Sequence, residues 1–329
     1  MILIKNMFYQ GKKVLVTGGA GFIGTHIVQE LLKQDAKVCV TVHKRPMIVK
    51  DDRLEIVQAD LTRLEDCQRA VRGVDYVFHA AGAVAAAAVN TANPMSVIST
   101  NLVLTVQMLQ AAWEANVERF LLFSSSTGYP VANYPIKEEE MWNGPTHPSY
   151  FGYGWMRRYF ERLGEFVASK SKVKIALVRP TAVYGRWDNF DPITSHVIPA
   201  LIRKAVERQD PYEVWGDGEE IRDLLYADDL ARGSLMLLEK HAECDPVNIG
   251  YGKGFTVKEV IKIILKAADY ENANVVFNSS KPSTIPIRMV DTSKAKTLLG
   301  FEPSVSLEGG ITNTVKWYAE MKKYGDQSK

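Results

Sequence analysis

Tyr153 and Arg157 stand four residues apart in the stretch Tyr153-Gly154-Trp155-Met156-Arg157. On a helix this spacing puts both side chains on one face. A phenol beside a fixed cation gives up its proton more readily, so the pair could serve as a general acid or base. Upstream, Ser124-Ser125-Ser126-Thr127 offers hydroxyls that could hold a reacting oxygen. Near the start, Gly18-Gly19-Ala20-Gly21-Phe22-Ile23-Gly24 spaces its glycines by three. Gly18 suits a tight turn, Gly21 lets backbone approach a pyrophosphate, and Gly24 lets a helix pack closely on a strand. A Tyr/Arg pair alone is more often surface packing. Its place after a nucleotide-binding half gives it chemical meaning.

The surrounding elements suit that chemistry. Lys13–Thr17 reads as a buried strand running into the glycines. Phe22–Lys33 reads as a helix, with Ile23, Ile27, Leu31 and Leu32 near a 3.6-residue period. Its N-terminus would offer N–H donors to phosphates. Val38–Val42, Leu54–Val57, Asp75–His79, Arg119–Ser124 and Lys174–Val178 read as further strands. Leu64–Val71, Met95–Ala115 and Ser149–Lys170 read as helices. Such alternation predicts an α/β fold: a Rossmann-type, doubly wound parallel sheet covered on both faces. The serine run then falls at the carboxyl end of the fifth strand, where ligands of such sheets bind. After Pro180, turn-rich segments such as 186–192 and 216–219 break the rhythm. The expected division is a dinucleotide-binding domain over 1–180, to which 221–252 returns, and a smaller α/β C-terminal substrate domain over 181–329.

Dinucleotide sites usually carry an Asp or Glu about 20 residues past the glycines, on the ribose 2′-hydroxyl. Between Val38 and Lys50 there is no acidic residue, and the second strand runs into His43-Lys44-Arg45. Three potentially cationic side chains suit a 2′-phosphate. NADP(H) is therefore expected in preference to NAD(H), unless the three residues form only a solvated loop.

Composition narrows the class. The 329 residues are 46% hydrophobic and 24% charged, which excludes an intrinsically disordered chain. Forty Lys and Arg against 38 Asp and Glu give a net charge of +2. That is too balanced for a nucleic-acid binder held by phosphate contacts. No run of about 18 apolar residues predicts a membrane span, and the first residues lack the pattern of a targeting signal. Cys39, Cys67 and Cys244 are far apart, with no metal spacing and no disulfide framework. A cytoplasmic protein with reduced thiols and no metal is expected.

The glycine loop, the His79-Ala80-Ala81-Gly82 run, the serines, the tyrosine helix and Arg179-Pro180 resemble the extended short-chain dehydrogenase/reductases, the NAD(P)-dependent nucleotide-sugar epimerase/dehydratase group. The resemblance covers nearly the whole chain. Segments 188–192, 195–203, 214–218 and 280–282 are similar to the GDP-L-fucose synthase family. Those NADPH-dependent enzymes epimerise and then reduce a GDP-4-keto-6-deoxy sugar. The resemblance implies that Ser125 hydrogen-bonds the sugar oxygen, Tyr153 exchanges its proton, and Arg157, where lysine is usual, holds the nicotinamide ribose. It implies cofactor contacts from Gly18, Gly21, Phe22, Ile23, Gly24, Asp60 at the adenine, Leu61, Ala80, Ala81 and Gly82. Substrate contacts are implied for Thr127, Trp215, Lys281, Arg222 at the diphosphate and His196 as the acid of epimerisation. A homodimer through the two long helices is implied as well.

Three positions depart from the pattern. Thr127 replaces the cysteine base of fucose synthases and the glutamate of dehydratases, and its hydroxyl cannot take a proton from carbon. Ala182 replaces a substrate-binding asparagine. Arg157 keeps the lysine's charge as a planar fork. The expectation is an NADP(H)-dependent oxidoreductase of a nucleotide sugar, GDP-linked by resemblance, working at C4 as a 4-ketoreductase or 4-dehydrogenase. The alternatives are a redox-neutral 4-epimerase and a non-catalytic NADP(H)-binding sensor or scaffold.

Overall fold

The computed structural model describes residues 8–83, 94–280 and 285–326. Lys281 and Pro282 of the 280–282 motif lie outside them.

Seven strands form the main sheet: β1 (Lys13–Thr17), β2 (Lys37–Val42), β3 (Glu55–Gln58), β4 (Tyr76–His79), β5 (Arg119–Phe123), β6 (Lys174–Pro180) and β10 (Val247–Ile249). Their order is β10-β6-β5-β4-β1-β2-β3, and every pair is parallel. The order reverses between β1 and β4, so the ligand crevice opens above their carboxyl ends.

Alternation along the strands feeds two cores. Val14, Val16, Val38, Val40 and Phe78 pack with α1 (Phe22–Lys33) and α6 (Ala227–Lys240). Leu15, Cys39, Val77, Phe120 and Leu122 pack with α2 (Leu64–Ala70), α3 (Pro94–Glu114) and α4 (Phe151–Lys170). Within α3, Met95–Glu114 is long and apolar enough to cross a membrane by length and composition. Met108, Leu109, Ala111 and Ala112 are buried in the sheet's core, which accounts for part of that apolarity, while Val103 and Val106 are exposed.

The remaining strands form smaller sheets. β9 (Ile221–Tyr226) pairs with β7 (Ala182–Tyr184), β11 (Gly254–Thr256) and β13 (Ile287–Arg288). β8 (Tyr212–Trp215) pairs with β12 (Val275–Asn278). α5 (Val197–Val206), α7 (Val257–Ala267) and α9 (Leu307–Asp326) cover them, and α8 (Ser293–Leu299) lies near β10. Of the segment 221–252, only α6 and β10 join the main sheet; β9 does not. A buried charge needs partners wherever its strand lies. In the smaller sheet, buried Asp223 accepts from the N–H groups of Tyr251 at 2.7 Å and Gly252 at 3.0 Å.

One histidine joins these regions. His26, buried on α1, meets Asp228 of α6 at 2.5 Å through Nδ1 and the carbonyl of Arg186, just past β7, at 3.0 Å through Nε2.

Candidate active site

The phosphate loop follows from sterics. Gly18 sits at φ +65°, and a Cβ there would lie 2.8 Å from the Cα of Ala81. The Ala80–Gly82 segment therefore presses on the loop, tied by the Ala81 N–H donating to Thr17 Oγ1 at 3.0 Å. A Cβ on Gly24 would come within 2.2 Å of the Gly18 carbonyl, so helix and strand can meet only at glycine. A Cβ on Gly21 would meet only that carbonyl, at 3.1 Å, leaving a concave approach. No side chain caps α1, and its first turn holds no acid. Phe22, Ile23 and Gly24 thus begin an uncapped helix facing the loop, an arrangement that fits a pyrophosphate.

β2 leads into the exposed His43, Lys44 and Arg45 beside this loop, and Thr41 Oγ1 accepts from the Gly18 N–H at 3.1 Å. Asp60 follows β3. Its carboxylate accepts from the O–H and N–H of Thr62, which hold its pKa below the usual range, with His43 adding a smaller push. Leu61 is buried next to it. His79, at the end of β4, is buried with Nδ1 2.9 Å from Thr17 Oγ1. Burial, and then the charge of Arg157, depress its pKa to about 3, so it stays neutral.

The other half of the site is a turn against a helix. Ser125 precedes a 3-10 turn over Ser126–Gly128. Thr127 donates to Ser125 Oγ through its N–H at 3.2 Å and its O–H at 2.9 Å. α4 lies directly against this turn, because a Cβ on Gly154 would sit 2.6 Å from the Thr127 carbonyl. Tyr153 is the residue before it. Arg157 donates to the Tyr153 hydroxyl at 2.5 Å and to the Phe123 carbonyl at 2.9 Å. Behind the turn, the fully buried Arg179 forms a fork on Glu161, at 2.8 and 2.7 Å, and donates to Tyr129 and to the Glu138 carbonyl. Ser124 also donates to Glu161, at 2.5 Å. The members of the Arg179–Glu161 pair are 18 positions apart on different elements, so their pairing leaves no local signal in the sequence.

Arg222 and Arg288 stand side by side in register on β9 and β13. Burial, and then the charge of Arg288, lower the pKa of Arg222. Arg222 also donates to the carbonyls of Ile221 at 2.9 Å and Pro286 at 3.2 Å, and the two adjacent guanidiniums could hold an anion of two or more charges. Arg288 was not singled out from the sequence, because a two-residue strand leaves no periodic signal. His196 sits at the N-cap of α5, open to solvent; the surrounding protein, and then Arg288, push its pKa down. Trp215, half exposed, ends β8. No cysteine supplies the missing base. Burial pushes the thiol of Cys39 up to about 11 and those of Cys67 and Cys244 up to about 12.

Comparison with known proteins agrees with this geometry. Across 94% of its length the chain is 31% identical to a probable GDP-L-fucose synthase 1 of Oryza sativa subsp. japonica, covering 93% of that protein. It is 27% identical to a dTDP-4-dehydro-6-deoxy-D-allose reductase of a Streptomyces species, over 96% of this chain and 98% of that one. The structure of UDP-glucose 4-epimerase from Thermotoga maritima with UDP-glucose superposes with a TM-score of 0.84, at 27% identity and over 94% and 99% of the two chains. With residues 14–250 matching that family from the first strand through β10, the chain belongs to the NAD dependent epimerase/dehydratase family and is an NAD(P)-dependent enzyme of nucleotide sugars.

Proposed function

We propose that the protein is an NADP(H)-dependent oxidoreductase acting at C4 of a nucleotide sugar, GDP-linked, as a 4-ketoreductase or 4-dehydrogenase. One observation carries this choice: the position that would hold an epimerisation base is Thr127, and its hydroxyl is spent on Ser125. The similarity to a fucose synthase and to a 4-dehydro-sugar reductase supports it. The nicotinamide, when bound, supplies the hydride. Tyr153 moves a proton to or from the C4 oxygen, and Ser125 hydrogen-bonds that oxygen. Arg157, anchored on the Phe123 carbonyl, holds the phenol in place. Arg222 and Arg288 hold the diphosphate, His196 and Trp215 flank the sugar nucleotide, and Lys44 and Arg45 meet a 2′-phosphate. In this reading the segments 181–220 and 253–329 carry substrate recognition. The exposed Val103 and Val106 of α3, with Phe151, Tyr159 and Phe166 of α4, form the face of a homodimer.

The fold shared with a UDP-glucose 4-epimerase favours a second reading, a redox-neutral 4-epimerase, which would keep its cofactor tightly bound through purification. Binding of NADP(H) without turnover across a panel of nucleotide sugars would favour a sensor or scaffold. The deciding experiment incubates the protein with NADPH and a GDP-4-keto-6-deoxy sugar in D₂O, followed by proton NMR. NADPH consumption with no deuterium at C3 or C5 is expected. A base must lie within hydrogen-bond reach of the carbon-bound proton, so enzyme-dependent exchange at C3 or C5 would refute the role given to Thr127.

A further inference from the structure

Ser125 Oγ receives two hydrogen bonds from one residue, the N–H of Thr127 at 3.2 Å and its O–H at 2.9 Å. A serine hydroxyl has two acceptor sites and one hydrogen. The Thr127 N–H fixes one acceptor site, and with the Thr127 hydroxyl donating across the 2.9 Å contact the second is filled, which leaves Ser125 its hydrogen to give. We propose that Thr127 is a positioning residue that fixes Ser125 as a donor to the C4 oxygen, an inference that rests on the function proposed above.

The turn is built to hold this arrangement. Ser125 is extended, at φ −165° and ψ 148°, and its carbonyl accepts from the Gly128 N–H at 3.1 Å. Buried Arg158 donates to the Gly128 carbonyl at 2.7 Å, and Tyr129 is bonded to Asn248 at 2.7 Å. Gly154 of α4 closes on the Thr127 carbonyl from the other side. Rotating Ser125 away would give up both contacts with Thr127.

The consequence concerns the Tyr153 proton. A serine with a free lone pair could accept from the phenol and divert its hydrogen from the sugar. With both lone pairs occupied, Ser125 offers Tyr153 no acceptor. In the reducing direction, the proton passes from Tyr153 Oη to the C4 oxygen while Ser125 keeps its own and donates to that oxygen as negative charge develops. Thr127 therefore does more than remove a base: it fixes the polarity of its neighbour.

The test is a double-mutant cycle on a 4-keto nucleotide sugar with NADPH, using Thr127→Val, Ser125→Ala and the pair. Thr127→Val is expected to lower kcat about tenfold, the scale of one hydrogen bond near a developing charge, with KM within about twofold. Thr127→Ser is expected to keep kcat within about threefold. In the Ser125→Ala background, Thr127→Val is expected to change kcat by less than about twofold, because the group it positions is gone. Thermal unfolding checks that each variant folds, and Thr127→Ala replaces Thr127→Val if the latter does not. An unchanged kcat in Thr127→Val, an equal loss in both backgrounds, or no rescue by serine would overturn the positioning role and leave the proposed function standing. Full activity in Ser125→Ala, or no turnover of any 4-keto nucleotide sugar by the unaltered protein, would overturn both.

Discussion

Replacing Glu161 by glutamine would keep its shape and remove one charge from a pair that is sealed from water. Arg179 and Glu161 are each 2% exposed at the side chain. Arg179 places two donors on the two carboxylate oxygens, and Ser124 places a third on Oε1. A glutamine amide offers one oxygen and one NH₂. Whichever way it turns, the NH₂ faces a donor, and the guanidinium is left without a counter-charge. Breaking a buried pair from one side costs about 3–5 kcal/mol. At about 2.1 cal/mol/K per residue, unfolding 329 residues carries roughly 0.7 kcal/mol per kelvin, so Tm should fall by about 4–7 °C. Glu161→Leu combined with Arg179→Met, which removes both charges, should recover much of the loss. The assay is thermal and urea unfolding followed by circular dichroism at pH 7. A Glu161→Gln protein that melts within about 1 °C of the unaltered one would show that the pair contributes nothing to stability.

Other expectations follow from the site and its surroundings. Tyr153→Phe should lower turnover by about 10²-fold or more, with NADPH affinity measured by fluorescence nearly unchanged, the scale of a lost general acid; near-full activity would remove Tyr153 from that role. Replacing Lys44 and Arg45 together by alanine should weaken NADP(H) about tenfold and leave NAD(H) nearly unaltered, as measured by titration calorimetry; equal losses for both would count against a 2′-phosphate contact. Asp188 has an Oδ2 buried without a hydrogen-bond partner, and burial raises its pKa to about 7. The native carboxyl therefore holds a proton that the unfolded chain releases near pH 4, and its stabilising contribution is lost as pH rises from about 4 to 7. Asp188→Asn should gain stability that grows by about 2–3 kcal/mol between pH 5 and pH 8 in urea unfolding, whereas an equal gain at both would show a carboxylate that is already charged.

Much of the nucleotide half was legible because it depends on local rules. Gly21 and Gly24 are dictated by their contacts with the Gly18 carbonyl and Gly18 by its positive φ, and strands such as β1 and β4 are apolar runs of ordinary length. Tyr153 and Arg157 were legible because one helical turn brings them together. The helix itself starts at Phe151 and not Ser149, since a 3-10 turn over Pro148–Tyr150 precedes it, with His147 accepting from the Ser149 N–H. The placement of β9 was not legible, because an apolar stretch such as Leu224-Leu225-Tyr226 fits either sheet and only long-range pairing decides. Arg288 was invisible for the same reason: its meaning comes from lying in register with Arg222, 66 positions earlier.

His26 has a consequence of a mechanical kind. Both ring nitrogens are engaged, one on Asp228 and one on the Arg186 carbonyl, and the edge of the ring meets Trp187, with centroids 4.9 Å apart. The ring thus works as a rivet through three separately folded pieces of chain: the helix that follows the phosphate loop, the helix that covers the sheet, and the loop that leaves β7. A rivet does not slide. The 186–190 loop is tied at one end to the helix that follows the phosphate loop, and at Phe190 to Trp317 and Tyr318 of α9. The helix that begins at the phosphate loop and the loop that leaves β7 therefore share one fixed point, and a shift of either carries to the other through a single ring.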